Sequence, residues 1–150
     1  KNNKELWRIY FPARTSYRFI SNTNSELIQG IDQLPKKGSV LVITKSMKDV
    51  MCLYSFGIPA IAPNSEKLFI KDTILKDLQT RFKYIIVFYD NDIPGLEGMK
   101  RIKKNYPELI YTWLPHNYAK DISDFYKNFG KEKTLTILKQ FIKWLKNRQS

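Results

Sequence analysis

The pattern of apolar and polar positions divides the chain into alternating strands and helices. Two continuous apolar runs without alternation, residues 39–44 and 84–89, are typical of strands that are covered on both faces. Apolar runs at 58–62 and 109–114 predict two further strands. A helical pattern follows each run, so the order β-α-β-α-β-α-β-α predicts an α/β fold: a parallel four-stranded sheet flanked by helices.

The helices are predicted from apolar residues that recur every three or four positions. Gly57 and Gly130 stand where a glycine would end a helix, and Asn64-Ser65-Glu66 offers an N-cap. The recurring positions are Met47, Val50, Met51 and Tyr54 in the first helix, Leu68, Leu75 and Leu78 in the second, Leu96, Met99 and Ile102 in the third, and Leu135, Leu138, Phe141, Ile142 and Leu145 in the last, which follows a short helix from Asp124 to Phe129.

The N-terminal third reads differently from the rest. Residues 6–11 and 16–20 alternate imperfectly on either side of Pro12, which predicts two short antiparallel strands. We therefore expect residues 1–37 to be an N-terminal β extension or linker. Residues 131–150 are expected to form a basic amphipathic helix packed on the α/β unit.

Charge and composition narrow the classes of partner. Lys and Arg number 26 and Asp and Glu 14, a formal net charge of +12. This surplus favours a polyanionic partner, usually nucleic acid, although a solvated face of a lysine-rich protein explains it equally well. A single cysteine, Cys52, and a single histidine, His116, exclude an intrachain disulfide, a cysteine-based zinc site and a histidine-rich metal site.

The same features bear on location. No apolar run approaches the ~20 residues of a membrane span, and we expect no membrane partner. Cysteine usage fits a reducing, cytoplasmic setting. The chain opens without an initiator Met or a signal peptide, which favours a piece of a longer protein.

Acidic residues follow three predicted strands, where ligands of open α/β sheets bind. Asp90 and Asp92 leave the clearest strand with one residue between them, so both carboxylates can face one cation such as Mg²⁺; an ordinary turn is the alternative. Asp49 falls in the first turn of the helix after the first parallel strand, where a carboxylate is also favoured simply by the helix dipole. Asp121 and Asp124 form a third group, and a helix cap explains at least one of them.

These segments together resemble the Toprim domain of bacterial-type and phage DNA primases. The family has a strand ending in Glu-Gly-x-x-Asp, a helix ending near Gly-Ile, a strand ending in Asp-x-Asp, and a later Leu-Pro followed by an acidic segment. The resemblance covers about residues 38–130, which we expect to be the Toprim (Rossmann-like) domain. The matching segments here are Val42 to Val50, Phe56-Gly57-Ile58, Val87 to Gly95, Leu114-Pro115 and Asp121 to Asp124.

The resemblance implies a metal site and its ligands. Asp90 and Asp92 match the Mg²⁺ ligands, and Asp121 matches the first acid of the late segment. Asp49 matches the acid of the first motif, but Lys45 stands where the family has its catalytic Glu. An ammonium group cannot ligate a cation, so Mg²⁺ or Mn²⁺ is expected to bind weakly, and Lys45 could instead pair with Asp90 or bind phosphate.

Three hypotheses about function follow from the resemblance. The first is a Toprim domain of a primase-like replication protein of a phage or mobile element, with nucleotidyltransferase chemistry in family terms. Its partners would be a DNA or RNA–DNA template and the rest of a larger primase/helicase-like polypeptide. The second is a non-catalytic nucleic-acid-binding Toprim module, and the third a Toprim nuclease or another α/β domain such as a phosphoacceptor receiver. Lys48, Lys100 and Arg101 are the residues predicted to contact nucleic acid.

Overall fold

The computed structural model describes residues 7–23, 26–64 and 69–147, which form an N-terminal hairpin and a five-stranded sheet with helices on both faces. A short 3-10 helix, Ile31–Gln33, precedes the main sheet. The strands and helices in chain order are β1 Arg8–Tyr10, β2 Phe19–Ser21, β3 Ile28–Gln29, β4 Gly38–Ile43, α1 Met47–Ser55, β5 Ala60–Pro63, α2 Asp72–Arg81, β6 Phe82–Phe88, α3 Ile93–Asn105, β7 Ile110–Thr112 and α4 Ile122–Asn147.

The main sheet has the order β3-β5-β4-β6-β7. The four predicted strands are parallel, and the pairing of Ile43 with Val87 sets the register of the two central ones. The antiparallel edge strand β3 is an addition that the sequence did not predict, because two residues carry no periodic pattern. Because β4, β5, β6 and β7 run the same way, their carboxyl ends all meet at one edge of the sheet.

Two apolar layers cover the two faces of the sheet, as the continuous apolar runs predicted. On one face Ile43 and Val87 pack with Leu75 and Leu78 of α2 and with side chains of α3. On the opposite face Val42 and Ile86 pack with apolar side chains of α1 and α4. Neighbouring residues of β4 and β6 therefore point to opposite layers, which is why neither strand alternates with polar positions.

Helix α1 ends where its sequence predicts. Gly57 has a φ of 73°, the Gly57 N–H donates to the carbonyl of Tyr54 (2.9 Å), and the Ile58 N–H donates to that of Leu53 (3.1 Å). This is a Schellman motif, in which glycine adopts the left-handed conformation at low cost. The buried face differs from the expected one, however: Val50 and Leu53 are buried, whereas Met51 and Tyr54 are exposed.

The prediction placed the break within α4 better than the start of α2. Helix α2 begins at Asp72, and Ser65, Glu66 and Leu68, expected to cap or line it, lie outside the described residues. The span of α4 is two helices that meet at Gly130, whose φ of 77° and ψ of −179° are not helical, so the predicted end of the short helix at Gly130 is confirmed. Beyond Gly130, Leu138 and Leu145 are buried against the sheet. No helix in the described part of the chain is both long enough and apolar enough to cross a membrane.

Candidate metal centre

Three carboxylates from three separate elements meet at the carboxyl edge of the sheet. Asp49 lies in the first turn of α1, Asp90 follows β6, and Asp121 precedes α4, and one oxygen of each lies within 4.8 Å of the others. Asp49 is buried, while Asp90 and Asp121 are partly accessible. The parallel register brings them together, since β4 and β6 end side by side.

Asp49 is held by hydrogen bonds from two sides. The Ser46 hydroxyl donates to its Oδ2 (2.6 Å) and accepts from its backbone N–H (3.3 Å), so the pair caps α1. The Ser123 N–H donates to Oδ1 (3.1 Å). Burial and the nearby Asp121 charge outweigh these hydrogen bonds and raise the pKa of Asp49 to about 6.

Asp121 serves as a helix cap and also belongs to the cluster. Its Oδ1 accepts from the Asp124 N–H (2.7 Å) and from the Ser123 hydroxyl (2.8 Å) at the start of α4. Its Oδ2 lies 3.8 Å from the ammonium group of Lys48. The capping hydrogen bonds use Oδ1, so Oδ2 remains available to a metal.

Asp90 and Asp92 face one cation, and that cation is a lysine. The Lys120 ammonium lies 3.4 Å from an Asp90 oxygen and 2.9 Å from an Asp92 oxygen. Asp92 also caps α3 by accepting from the Gly95 N–H (2.8 Å). Asp92, predicted as a metal ligand, is not one of the three clustered carboxylates.

The ionisation of this pair follows its surroundings. Burial raises the pKa of Asp90, even though the charges of Lys45 and Lys120 oppose it. Burial also acts on Asp92, but its hydrogen bonds from Lys120 and Gly95 prevail, so its pKa is lowered. The hydrogen bond with Asp92 is the main cause of the raised pKa of Lys120.

The predicted basic residues lie at different distances from the acids. Lys45 leaves β4 close enough for its charge to act on both Asp90 and Asp92. Lys48 is exposed and lies 3.7 Å from Asp124 as well as near Asp121. Lys100 and Arg101 are exposed about two turns along α3.

The turn between β6 and α3 fixes the positions of both Asp90 and Lys120. The Asn91 N–H donates to the carbonyl of Lys120 (2.8 Å), and its side-chain amide donates to that of Leu114 (2.6 Å). These bonds tie the segment before α4 to the end of β6. Gly95 packs so tightly that an added Cβ would lie 2.2 Å from the Asp90 carbonyl oxygen.

Sequence reasoning gave no role to Lys120 or Ser46. The signal for Ser46 was its position three residues before Asp49, which is the spacing of a capping box. For Lys120 the sequence offered only a weak signal of a role in the site. It directly precedes Asp121, in the loop that follows the fourth predicted strand. Its contact with Asp90 depends on the path of the loop, which a sequence pattern does not specify.

The donor set fits a hard divalent cation. Carboxylate oxygens are the ligands that Mg²⁺ and Mn²⁺ prefer, and three of them converge here. A divalent cation would also relieve the repulsion that contributes to the raised pKa of Asp49. The half-exposed side chain of Lys120 can move away at small cost, since such surface ion pairs are worth at most about 1 kcal/mol.

Comparison with solved structures identifies the fold. The chain is similar to a DnaG primase catalytic domain bound to single-stranded DNA, with a TM-score of 0.69 and 16% identity over 90% of this chain and 47% of that one. It is also similar to the E. coli primase catalytic core, with a TM-score of 0.65 and 18% identity over 85% of this chain and 45% of that one. The fold is therefore the Toprim fold of the primase type, as the sequence motifs predicted.

A phage structure extends the comparison. The primase fragment of the bacteriophage T7 primase-helicase protein matches with a TM-score of 0.57 and 16% identity, over 79% of this chain and 51% of that one. The chain thus spans about half the length of the structures it matches. No family model and no curated protein matches its sequence.

Proposed function

We propose that the chain is the Toprim domain of a primase-like DNA replication protein of a phage or mobile element. On this proposal residues 38–130 carry the site and handle nucleic-acid phosphates with the help of a divalent metal. The observation that carries the proposal is the convergence of Asp49, Asp90 and Asp121 at the carboxyl edge of a sheet with a primase-type fold.

Asp49, Asp90 and Asp121 would hold Mg²⁺ or Mn²⁺. When bound, the metal would supply positive charge that neutralises phosphate during nucleotidyl transfer. The protein's own contribution is to position these oxygens: Ser46 and the Ser123 N–H orient Asp49, and the start of α4 orients Asp121. Asp92 would join the ligands only where Lys120 swings aside.

The basic residues would bind phosphate. Lys48 lies on the exposed rim of the acidic cluster, where its ammonium can reach both Asp121 and a phosphate bound nearby. Lys100 and Arg101 would extend this basic surface along α3. We further propose that the partners are a DNA or RNA–DNA template and the rest of a larger polypeptide. The matched proteins support this, since one is bound to single-stranded DNA and another belongs to a primase-helicase.

A second candidate function is non-catalytic nucleic-acid binding. The observation that favours it is the pair of lysines, Lys45 and Lys120, whose charges act on Asp90 and Asp92. Lysine occupies the position of the family's catalytic Glu, so the site can hold a metal weakly and still lack the group that assists proton transfer. The two candidates share the metal site but differ in chemistry.

The metal site is tested by titrating Mn²⁺ into the wild-type chain and into an Asp90→Asn, Asp121→Asn double variant, followed by electron paramagnetic resonance. We expect weak binding to the wild type, in the millimolar range, and loss of binding in the double variant. Asp77→Asn, which alters an exposed carboxylate on α2, is the matched control and should bind like the wild type. Equal binding by all three proteins would refute the site.

Chemistry separates the candidates. Primer synthesis and plasmid nicking are assayed with Mg²⁺ and Mn²⁺, using the same double variant as the blank. Synthesis or nicking that the double variant lacks would support the enzymatic candidate, and nicking without synthesis would support a nuclease. Metal binding with neither activity would favour the non-catalytic candidate.

A further inference from the structure

The N-terminal hairpin carries a dense exposed surface of aromatic and basic side chains. Of the 13 large apolar side chains exposed in the described part of the chain, six lie between Trp7 and Ile20. The arginines of the same segment stack on its rings. We call the following residues the hairpin surface: Trp7, Arg8, Tyr10, Phe11, Arg14, Tyr17, Arg18 and Phe19.

Stacked contacts hold this surface in shape. The rings of Tyr10 and Phe19, paired across β1 and β2, stack with centroids 4.9 Å apart. The guanidinium carbon of Arg8 lies 4.1 Å from the Phe19 centroid, and that of Arg18 lies 5.3 Å from the Tyr10 centroid. At the turn, Arg14 lies 3.9 Å above Phe11. The hairpin therefore presents guanidinium and ring planes in a fixed arrangement.

Tyr17 is the most prominent member of the surface. Its side chain is 87% exposed at the tip, between Arg14 and Arg18. Its φ of 49° places a bulky residue in the left-handed conformation, which costs about 1 kcal/mol or more. An exposed aromatic ring in a disfavoured backbone conformation gains little from burial, so packing within the chain does not explain its placement.

The chemistry of the surface points to a single-stranded nucleic acid. Residues 7–23 contain three arginines and no acidic residue, so the segment complements a polyanion. Exposed rings complement unstacked bases, whose faces are hidden inside a duplex but available in a single strand. An acidic peptide would match the charge but not the rings.

The hairpin also lies at the same edge of the sheet as the metal centre. Arg8 donates to the carbonyl oxygen (3.0 Å) and the side-chain oxygen (2.6 Å) of Asn64, which directly follows β5. Strands are about 4.8 Å apart, so the end of β5 lies about 10 Å from the end of β6, where Asp90 begins the acidic cluster. A strand crossing the hairpin could thus continue toward the acids.

We propose that the hairpin surface is a stacking platform for single-stranded nucleic acid, on which Tyr17 stacks against a base while Arg14 and Arg18 bind the flanking phosphates. The identity of the partner rests on the proposed function. The stacking contact does not depend on the metal, so the two proposals fail separately.

The test measures fluorescence anisotropy of three labelled probes with the full chain: oligo-dT, an abasic oligonucleotide of equal length, and a duplex. Tyr17→Ala should weaken binding of oligo-dT about tenfold and leave the abasic probe unchanged, because only the base stacks. Tyr17→Phe should stay within about twofold of the wild type, because it keeps the ring. Arg14→Ala should weaken both single-stranded probes and lower the salt slope by about one.

Tyr54→Ala and Lys76→Ala are the matched controls. Tyr54 is an exposed tyrosine near the end of α1. Strand β5 runs from that end of the sheet to Asn64, so Tyr54 lies at the edge of the sheet opposite to Asn64 and the hairpin. Lys76 is exposed on α2, and Lys76→Ala removes one positive charge away from the hairpin. Neither change should alter oligo-dT binding by more than about twofold.

Any one of the following results would overturn the platform. The first is that Tyr17→Ala binds oligo-dT as tightly as the wild type does. The second is that Tyr17→Ala loses as much affinity for the duplex as for oligo-dT, since this would indicate a charged surface without stacking. Full competition by polyglutamate would indicate an acidic peptide as the partner. Sedimentation showing a dimer that Tyr17→Ala dissociates would assign the surface to a second copy of the chain.

The metal titration keeps the two proposals apart. Tyr17→Ala should bind Mn²⁺ like the wild type, and its loss of oligo-dT affinity should be the same with Mn²⁺ and with EDTA. If the wild type binds Mn²⁺ but Tyr17→Ala binds oligo-dT as tightly as the wild type does, only the platform is refuted. A wild-type chain that binds none of the three probes would refute both the platform and the nucleic-acid partner.

Discussion

At the scale of single residues, the candidate centre is a balance between carboxylates and lysines. Asp90 and Asp92 both form ion pairs with Lys120, and Lys45 adds a second positive charge from the end of β4. A divalent cation has to compete with these ammonium groups for the same oxygens. On the proposed function, the lysines would thus set the metal affinity, and the carboxylates would supply the ligands.

We predict that Lys45→Glu tightens Mn²⁺ binding by roughly tenfold or more, because it replaces a repelling charge with a further carboxylate. Lys120→Gln should tighten it by up to about fivefold, the range expected for losing an exposed ion pair. Calorimetric titration of each variant measures both effects. Lys76→Glu, which changes the net charge equally on α2, should leave the affinity within about twofold. Unchanged affinity in Lys45→Glu would mean that the Lys45 side chain does not bear on the site.

Asp49 predicts a specific dependence on pH. Its folded pKa of about 6 lies above the unfolded value of about 3.9, so the folded chain binds more protons between these two values. The contribution of Asp49 to stability is therefore greatest below pH 4, falls as the pH rises to 6, and is constant above that. The whole change is about 3 kcal/mol at most.

This behaviour is measured by urea unfolding at pH 4, 5, 6 and 7 for the wild type and Asp49→Asn. The difference in unfolding free energy between the two should shift in favour of the variant as the pH rises from 4 to 6. Mn²⁺ affinity of the wild type should rise over pH 5–7, as Asp49 loses its proton. A difference that does not change with pH would show that Asp49 ionises at its ordinary value.

At the scale of elements, the turn from β6 into α3 decides where Asp90 points. Gly95 has no room for a side chain, since an added Cβ would lie 2.2 Å from the Asp90 carbonyl oxygen. Gly98, one turn further along α3, has room: its nearest neighbour would be the Tyr89 ring at 3.6 Å. The two glycines of one helix therefore form a matched pair.

We predict that Gly95→Ala destabilises the chain by about 2 kcal/mol or more and weakens Mn²⁺ binding, because the turn must shift with Asp90 on it. Gly98→Ala should be neutral or stabilising by up to about 1 kcal/mol, since alanine favours helix. Thermal unfolding and Mn²⁺ titration of both variants check this. Equal stability of the two variants would contradict the close approach of Gly95 to Asp90.

The elements also indicate how far sequence patterns reach. The buried runs of β4 and β6 were predicted because a strand covered on both faces leaves a continuous apolar signature. The face of α1 was misjudged because Leu53 and Tyr54 both fit the helical spacing, and only the packing selects Leu53. Strand β3 is too short for any pattern.

The candidate site was likewise predicted from the sequence only in part. Asp49, Asp90 and Asp121 were predicted as chemistry-bearing residues because each follows a strand or begins a helix. Their joint cluster without Asp92 was not predicted, because Asp92 instead caps α3 and contacts Lys120, which no local pattern specifies. Contacts between distant loops depend on the folded path of the chain and leave no local pattern.

At the scale of the whole molecule, the net charge of +12 coexists with a local acidic cluster. The positive charges are distributed over the hairpin, over α3 and over the exposed lysines of α4, so several faces can attract a polyanion. This distribution predicts that binding is mainly electrostatic and that no single face carries it all. The acids would then act on a nucleic acid that is already held by its phosphates.

We predict that affinity for oligo-dT falls steeply with salt. If four phosphates are neutralised, the affinity drops about fiftyfold between 50 and 200 mM salt, because the release of counterions on binding is less favourable at higher salt. A Lys139→Gln, Lys143→Gln, Lys146→Gln variant removes three exposed charges of α4 and should lower the salt slope if that face takes part. An unchanged slope would confine binding to the hairpin and α3. Absence of binding at 50 mM salt would leave the charge as a determinant of solubility alone.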